Sequence, residues 1–228
     1  MQENWKDGNA FWSDFSNKIK TGNRFHVDEE FLRVFDRIID NSDYVITLTK
    51  NTVLYRARIH TDEKKEDSTP YEPKQMGPPP KNKQSSGRLN PAGINYLYLA
   101  REIETCIYEV KPYIGDYITV GTFETSKKET RIINLCDNQT FMANDMLTSE
   151  LALRICMEYS RPIHPNRELD YLPTQFFSEY VKRKGYDGIQ YSSSINKEGR
   201  NVTLFKSEHA KCIETTSVRI DRVNYIWY

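Results

Sequence analysis

The chain has 228 residues, with 32 Lys plus Arg against 32 Asp plus Glu, and is 38% hydrophobic and 28% charged, with a mean hydropathy of −0.72. Such a composition describes a polar globular domain with room for an appended segment, and its zero formal net charge supplies no global field for a nucleic acid. No apolar run approaches the ~20 residues that span a bilayer, and MQENWKDGNAFW has neither the basic nor the apolar region of a signal peptide.

In chain order, Asn9 to Lys20 and Asp28 to Asn41 are amphipathic. In the second stretch Phe31, Leu32, Val34, Phe35, Ile38 and Ile39 recur at near-helical spacing behind Asp28, an expected N-cap. Residues 1–45 are therefore expected as a helical extension before a main domain over 46–228. VLYRARI from Val53 has the β-branched and aromatic character of a strand. His60 to Gly87 is charged and proline-rich, and long loops of this kind are usually functional or disordered. It is expected as a mobile edge of a binding site. INYLYLA follows as a strand, then REIETCIYEVKP as a helix starting near Arg101, stopped by Pro112, with Ile103, Cys106, Ile107 and Val110 as its apolar stripe.

YITVGTF and TRIINL are strands, and Asp145 to Tyr159 is a helix with Leu147, Leu151 and Ile155 in register. Pro173 lies near the start of another helix, whose Gly185 suits the position after its C-cap. YDGIQYSSS and NVTLF are two more strands, and SVRIDRVNYIWY alternates like a strand. Helices and strands interleave with antiparallel-looking returns and no repeat, so the expected fold class is α+β, or mixed α/β. The four cysteines, Cys106, Cys136, Cys156 and Cys212, match neither a zinc spacing nor a disulfide framework, and the dispersed histidines form no HExxH. A cytoplasmic protein with reduced thiols and no metal site is the expectation.

Several polar residues stand out on this scaffold. Arg56 and Arg58 share one face of a strand, where burial would demand an anionic partner. Arg88 sits in GRLNPAG, a tight turn able to bring backbone N–H groups and a guanidinium around a phosphate, although its glycines are not a GxGxxG loop. Tyr98 shares a face with Tyr96, opposite Leu97 and Leu99. Glu109 lies two turns into its helix, off the apolar stripe on a rim with Glu102 and Thr105. Ser192, Ser193 and Ser194 end a strand, without the GxSxG elbow of a serine hydrolase. Each residue taken singly reads as readily as ordinary scaffold.

In order, LYRAR, GRLNPAGINYLYLA, ETCIYEVKP, YLPTQFFSEYVKRKGYDGIQYSSS and NVTLF resemble the RES domain family, from about Val53 to Phe205. The resemblance implies an ADP-ribosyltransferase-like fold and a toxin of a toxin–antitoxin pair. Such a toxin consumes NAD+ by hydrolysis or phosphorolysis of the nicotinamide–ribose bond. It places the family arginine on Arg56, the second arginine on Arg88 with Asn90 in the same block, the tyrosine on Tyr98 and the glutamate on Glu109. The serine falls on Ser193, with Ser192 and Ser194 left open, and Gln175 matches a further recurrent position. Leu89 departs from the aromatic residue common after GR.

These identities suit the chemistry. Guanidinium forks match a pyrophosphate, and a carboxylate gains Coulomb energy as oxocarbenium character builds on the ribose. Arg56, Glu109 and Ser193 are thus the expected catalytic set, and Arg88, Tyr98, Asn90 and Gln175 the expected NAD+ contacts. NAD+ is substrate and no cofactor is called for. The expected partners are NAD+, inorganic phosphate if the reaction is phosphorolysis, and a cognate antitoxin protein. No membrane or nucleic-acid partner is expected, and homo-oligomerisation stays open. Two other readings remain: ADP-ribosyl transfer to a macromolecule, and a non-catalytic module that binds NAD+ or another nucleotide.

Overall fold

A computed structural model describes residues 5–61, 67–80, 85–136, 145–161 and 168–223. Its elements are α1 (Gly8–Thr21), α2 (Glu29–Ile39), β1 (Val45–Thr49), β2 (Val53–Ile59), β3 (Leu97–Ala100), α3 (Ile103–Glu109), β4 (Tyr117–Thr125), β5 (Glu129–Asn134), α4 (Met146–Ser160), α5 (Leu172–Arg183), β6 (Gly188–Ser192), β7 (Arg200–Leu204) and β8 (Ala210–Arg219). The strands form one eight-stranded sheet in the order β1-β5-β6-β7-β3-β2-β4-β8. Every described pairing is antiparallel except β5 with β6, whose connection carries α4 and α5. The fold is α+β with a mixed sheet. Among the described residues no helix is long and apolar enough to cross a membrane.

One face of the sheet buries Ile133, Ile189, Tyr191 and Tyr96 against α1, α2, α4 and α5 in a single core. Its centre is aromatic: Phe35 is fully buried and meets Phe11, Phe15 and Phe177 with ring centroids 5.3, 4.9 and 5.1 Å apart. The two N-terminal helices therefore share the core with α4 and α5. Burying aromatic rings at such edge-to-face distances adds about 0.5–1.5 kcal/mol per pair beyond the area term.

The α1 start is fixed by Asp7, whose Oδ1 accepts from Ala10 N at 2.7 Å. Asp28 occupies the N-cap position of α2 but makes no side-chain cap bond. Its carboxylate accepts instead from Lys18 Nζ at 2.9 Å, so the predicted cap is replaced by an ion pair to α1. α5 ends where expected, with Gly185 at φ +91°, a conformation glycine adopts without steric cost.

The opposite face holds a second core of Leu48, Leu54, Leu97, Leu99, Phe123, Val202 and Leu204, closed by fully buried Met76. Met76 follows a short 3-10 turn over Pro73–Gln75. Expected as a mobile binding-site edge, the segment is packed against the sheet around Met76, which fills an apolar slot there, while Ser85, Ser86 and Gly87 at its end do line a pocket. Residues 62–66 and 81–84 of it lie outside the described residues. His60, 5% exposed, ties the segment down. Its Nδ1 can only donate to Asp67 O, at 2.9 Å, which leaves Nε2 to accept from Thr119 Oγ1 at 2.8 Å.

Three further expectations change. The strand predicted over INYLYLA is confined to Leu97–Ala100. The last strand begins at Ala210 and ends at Arg219, pairing along β4 with a register shift at Thr122/Phe123, and residues 224–228 of the predicted SVRIDRVNYIWY strand lie outside the described residues. The apolar stripe of α3 also shifts: Ile103 is 45% exposed whereas Thr105 is fully buried. The helix starts at Ile103, and Cys106, Ile107 and Val110 of the predicted stripe pack on Ala57, Ala100, Ile118 and Val120, with Thr105 buried beside them in place of Ile103.

Phe35→Ala should lower unfolding stability by about 3–5 kcal/mol, the usual loss for a buried phenylalanine, in one cooperative transition followed by urea denaturation. Two separate transitions would show that the N-terminal helices fold independently of the sheet.

Candidate functional site

β2 and β3 are joined at a single pair, Tyr55 with Ala100. On its other side β3 stays in register with β7 through Leu97, Tyr98, Leu99 and Ala100. Beyond the Tyr55 pair the sheet parts, and the gap opens into a pocket of about 370 Å³. Tyr98 O is left without a strand partner there, and Arg56 Nη1 donates to it at 2.8 Å. Burial pulls the Arg56 guanidinium down to about 10, with Arg58 adding to the effect, which leaves it cationic at neutral pH. Arg58, predicted on the same strand face, turns to the 60–87 segment, where Nη2 donates to Gly77 O at 3.1 Å and the guanidinium lies over the Tyr71 ring.

The second wall is the GRLNPAG turn. Arg88 lines the pocket and donates from Nη1 to Tyr159 O, at the C-terminal turn of α4, at 3.0 Å. A cation there also suits the negative end of the helix dipole. Asn90 is 1% exposed, and its Oδ1 accepts from Tyr98 Oη at 2.6 Å while Nδ2 donates to Ser85 O and Pro91 O. Burial lifts the Tyr98 hydroxyl well above the usual phenol range, so it stays protonated. Gly87 N donates to Asn90 O at 2.9 Å, which closes the turn.

Gln175, expected as a substrate contact, stands behind this turn and does not line the pocket. Its Nε2 lies 2.8, 2.7 and 3.0 Å from Ser86 Oγ, Gly87 O and Asn90 O, so the amide is spent on holding the loop. A buried amide beside orphan loop carbonyls satisfies them in this way.

Glu109, the last residue of α3, lines the third wall with Cys106. Its Oε1 accepts two bonds, from Ser193 Oγ at 2.8 Å and from Asn201 Nδ2 at 2.7 Å. Ser193 Oγ also accepts from Ile195 N and Asn196 N, both at 3.2 Å. Its one proton is therefore committed to Glu109. Ser192 instead takes Cys156 Sγ and Ser160 Oγ as partners, and Ser194 is exposed. Of the three candidate serines, Ser193 alone reaches the carboxylate among the described contacts. The Cys106 thiol is pushed up to about 12 by burial and donates to Ile103 O, so it is no thiolate nucleophile.

A polar chain fixes α3 against the β6–β7 turn. Asn196 Nδ2 donates to Thr105 Oγ1, Thr105 Oγ1 donates to Glu102 Oε2, and Arg200 N donates to the same carboxylate oxygen. Gly199 permits the approach, since a Cβ there would lie 2.4 Å from Thr105 Oγ1.

Arg56, Arg88, Asn90, Tyr98 and Glu109 thus share one pocket, with Ser193 one bond behind Glu109. Tyr55, Ser85, Ser86, Tyr171, Tyr191 and Asn201 line the same pocket and were not singled out from the sequence. Asn201 stands in the NVTLF strand, where a polar first residue gave no signal until α3 was placed over it. Among the described residues no group of three or more His, Cys, Asp or Glu side chains is placed to hold a metal ion.

The RES domain profile matches residues 53–227, and the chain belongs to this family. Among solved structures, a chain of the M. tuberculosis MbcT-MbcA toxin-antitoxin complex is similar at 14% identity, over 82% of this chain and 92% of that chain, with a TM-score of 0.46. No curated protein matches the chain.

A Cβ on Gly87 would lie 2.5 Å from Asn90 Oδ1 and 2.9 Å from Tyr98 Oη. Gly87→Ala should therefore pry this bonded pair apart and lose about 1–3 kcal/mol, the scale of overpacking, measured by urea denaturation. Unchanged stability would mean that the turn yields freely and does not pin Tyr98.

Proposed function

We propose that the protein is an NAD+-degrading enzyme that breaks the nicotinamide–ribose bond and acts as the toxin of a toxin–antitoxin pair. The observation that carries this reading is the convergence of two guanidinium groups and one carboxylate, Arg56, Arg88 and Glu109, on a single pocket. Membership of the RES domain family supports the same reading.

In this reading each guanidinium keeps N–H donors beyond the one given to a carbonyl, and these take the pyrophosphate oxygens. The Tyr98 ring, with its hydroxyl fixed, offers a face for stacking. When the glycosidic bond breaks, its electron pair goes to the pyridinium nitrogen and neutralises it, so nicotinamide departs without a general acid. Positive charge develops at the ribose C1′, where the carboxylate of Glu109 stabilises it without reorganising. Because Oε1 already accepts two hydrogen bonds, Oε2 is the oxygen presented to the substrate. Water adding at C1′ gives ADP-ribose and a proton; phosphate adding there gives ADP-ribose phosphorylated at C1′. Ser193 acts through Glu109, since its proton is already engaged. NAD+ is consumed and no further cofactor takes part.

Purified protein incubated with NAD+ should release nicotinamide, and parallel reactions with and without inorganic phosphate should separate phosphorolysis from hydrolysis. Glu109→Gln keeps an acceptor oxygen for Ser193 and Asn201 but removes the charge. It should stay folded and lose about a hundredfold or more in kcat, the scale of one deleted electrostatic stabiliser. Full activity of this variant would remove Glu109 from the chemistry. Binding of NAD+ without nicotinamide release would turn the reading to a nucleotide-binding module, and label retained on a macromolecule would turn it to transfer.

A further inference from the structure

We propose that Asn201 has two roles in the pocket: its Nδ2 positions the Glu109 carboxylate, and its Oδ1 accepts a hydrogen bond from a hydroxyl of the ribosyl part of the substrate. The second role rests on the NAD+-cleaving reading; the first rests on the geometry of this chain alone.

Asn201 opens the inner part of β7, opposite Ala100 on one side and Tyr191 on the other. It is 5% exposed and lines the pocket. Nδ2 lies 2.7 Å from Glu109 Oε1. The reverse orientation would set a carbonyl oxygen against a carboxylate oxygen, which repel, so the amide orientation follows from its partner. Oδ1 consequently points away from Glu109 and has no partner among the described residues. Asn201 lines the pocket, so this oxygen is open to a donor that a ligand brings there.

Ser193 alone cannot hold Glu109. Its hydroxyl gives one bond to Oε1, and a carboxylate pivoting on one bond can still swing about it. The second bond from Asn201, reaching the same oxygen from a different strand, fixes the plane of the carboxylate and fills both lone pairs of Oε1. Oε2 is then the oxygen free to face a reacting centre. Catalytic groups held by two bonded supports stay within the small displacement that rate enhancement tolerates.

Asn201→Asp and Asn201→Ala separate the two roles. Asp keeps size and acceptor, loses the amide donor and sets a second carboxylate against Glu109; Ala loses donor and acceptor without adding charge. The assay is nicotinamide release from NAD+ for the wild type and both variants, with circular dichroism as the folding check and calorimetric binding of a non-cleavable carbocyclic NAD+ analogue. Asn201→Asp should lose about a hundredfold or more in kcat, from one lost charge-assisted hydrogen bond and the added repulsion against Glu109, with KM and analogue affinity within about threefold of wild type. Asn201→Ala should lose about tenfold to a hundredfold in kcat and also weaken KM and analogue binding by about tenfold.

Wild-type kcat in both folded variants would overturn the positioning role. Unchanged analogue affinity in Asn201→Ala would overturn the acceptor role. An equal fall of kcat and rise of KM in both variants would mark Asn201 as merely structural and overturn the split. A wild type that binds the analogue but releases no nicotinamide would instead overturn the functional reading, and the catalytic part of this assignment with it.

Discussion

The parting of β2 from β3 is the constraint on which the site depends. A sheet interior normally pairs every backbone carbonyl, and an unpaired buried one costs about 1–3 kcal/mol. Continued past Tyr55–Ala100, the ladder would set Tyr98 opposite Ala57, but the strands separate and Arg56 satisfies Tyr98 O instead. One substitution of partner therefore closes a backbone debt and plants a cation in a cleft. The pocket is a gap in the sheet, and its first functional group is what mends the gap.

The other walls follow the same logic of side chains that satisfy the backbone and face the pocket at once. Arg88 answers a carbonyl at the end of α4 and Asn90 the carbonyls of its own turn, while Gln175 of α5 braces that turn from behind, outside the pocket. Tyr98 links the two walls through Asn90. These buried polar groups are bonded on several sides, which holds the cavity shape before any ligand arrives. Preorganisation of this kind matters for a reaction whose barrier is set by charge development, since the groups need not move when the charge appears.

The α3 wall is built differently. Its helix has seven residues and packs Cys106 and Ile107 on Ala57, Ala100, Ile118 and Val120, a contact that fixes its distance from the sheet more than the direction of its polar side chains. The chain of Asn196, Thr105, Glu102 and Arg200 N supplies the missing specificity, and the bonds from Ser193 and Asn201 to Glu109 continue it into the site. The β6–β7 hairpin is thus the element that aims the carboxylate.

The strands carrying LYRAR and NVTLF, the helices flanking Phe35 and Phe177, and the residue types of the site were readable in the sequence, because alternation and helical spacing record which side chains share a face. The order of blocks, through family resemblance, also gathered Arg56, Arg88, Tyr98 and Glu109 into one proposed site. Spacing could not say which of Ser192, Ser193 and Ser194 turns toward Glu109, that Gln175 serves the loop and not the pocket, or that Asn201 matters at all. Nor could it place Met76 in a core, since a proline-rich charged segment carries no periodicity. Periodicity records the face a residue shares within its own element. Hydrogen bonds between residues 84 to 92 positions apart depend on where two elements end relative to each other, and only the tertiary structure decided that.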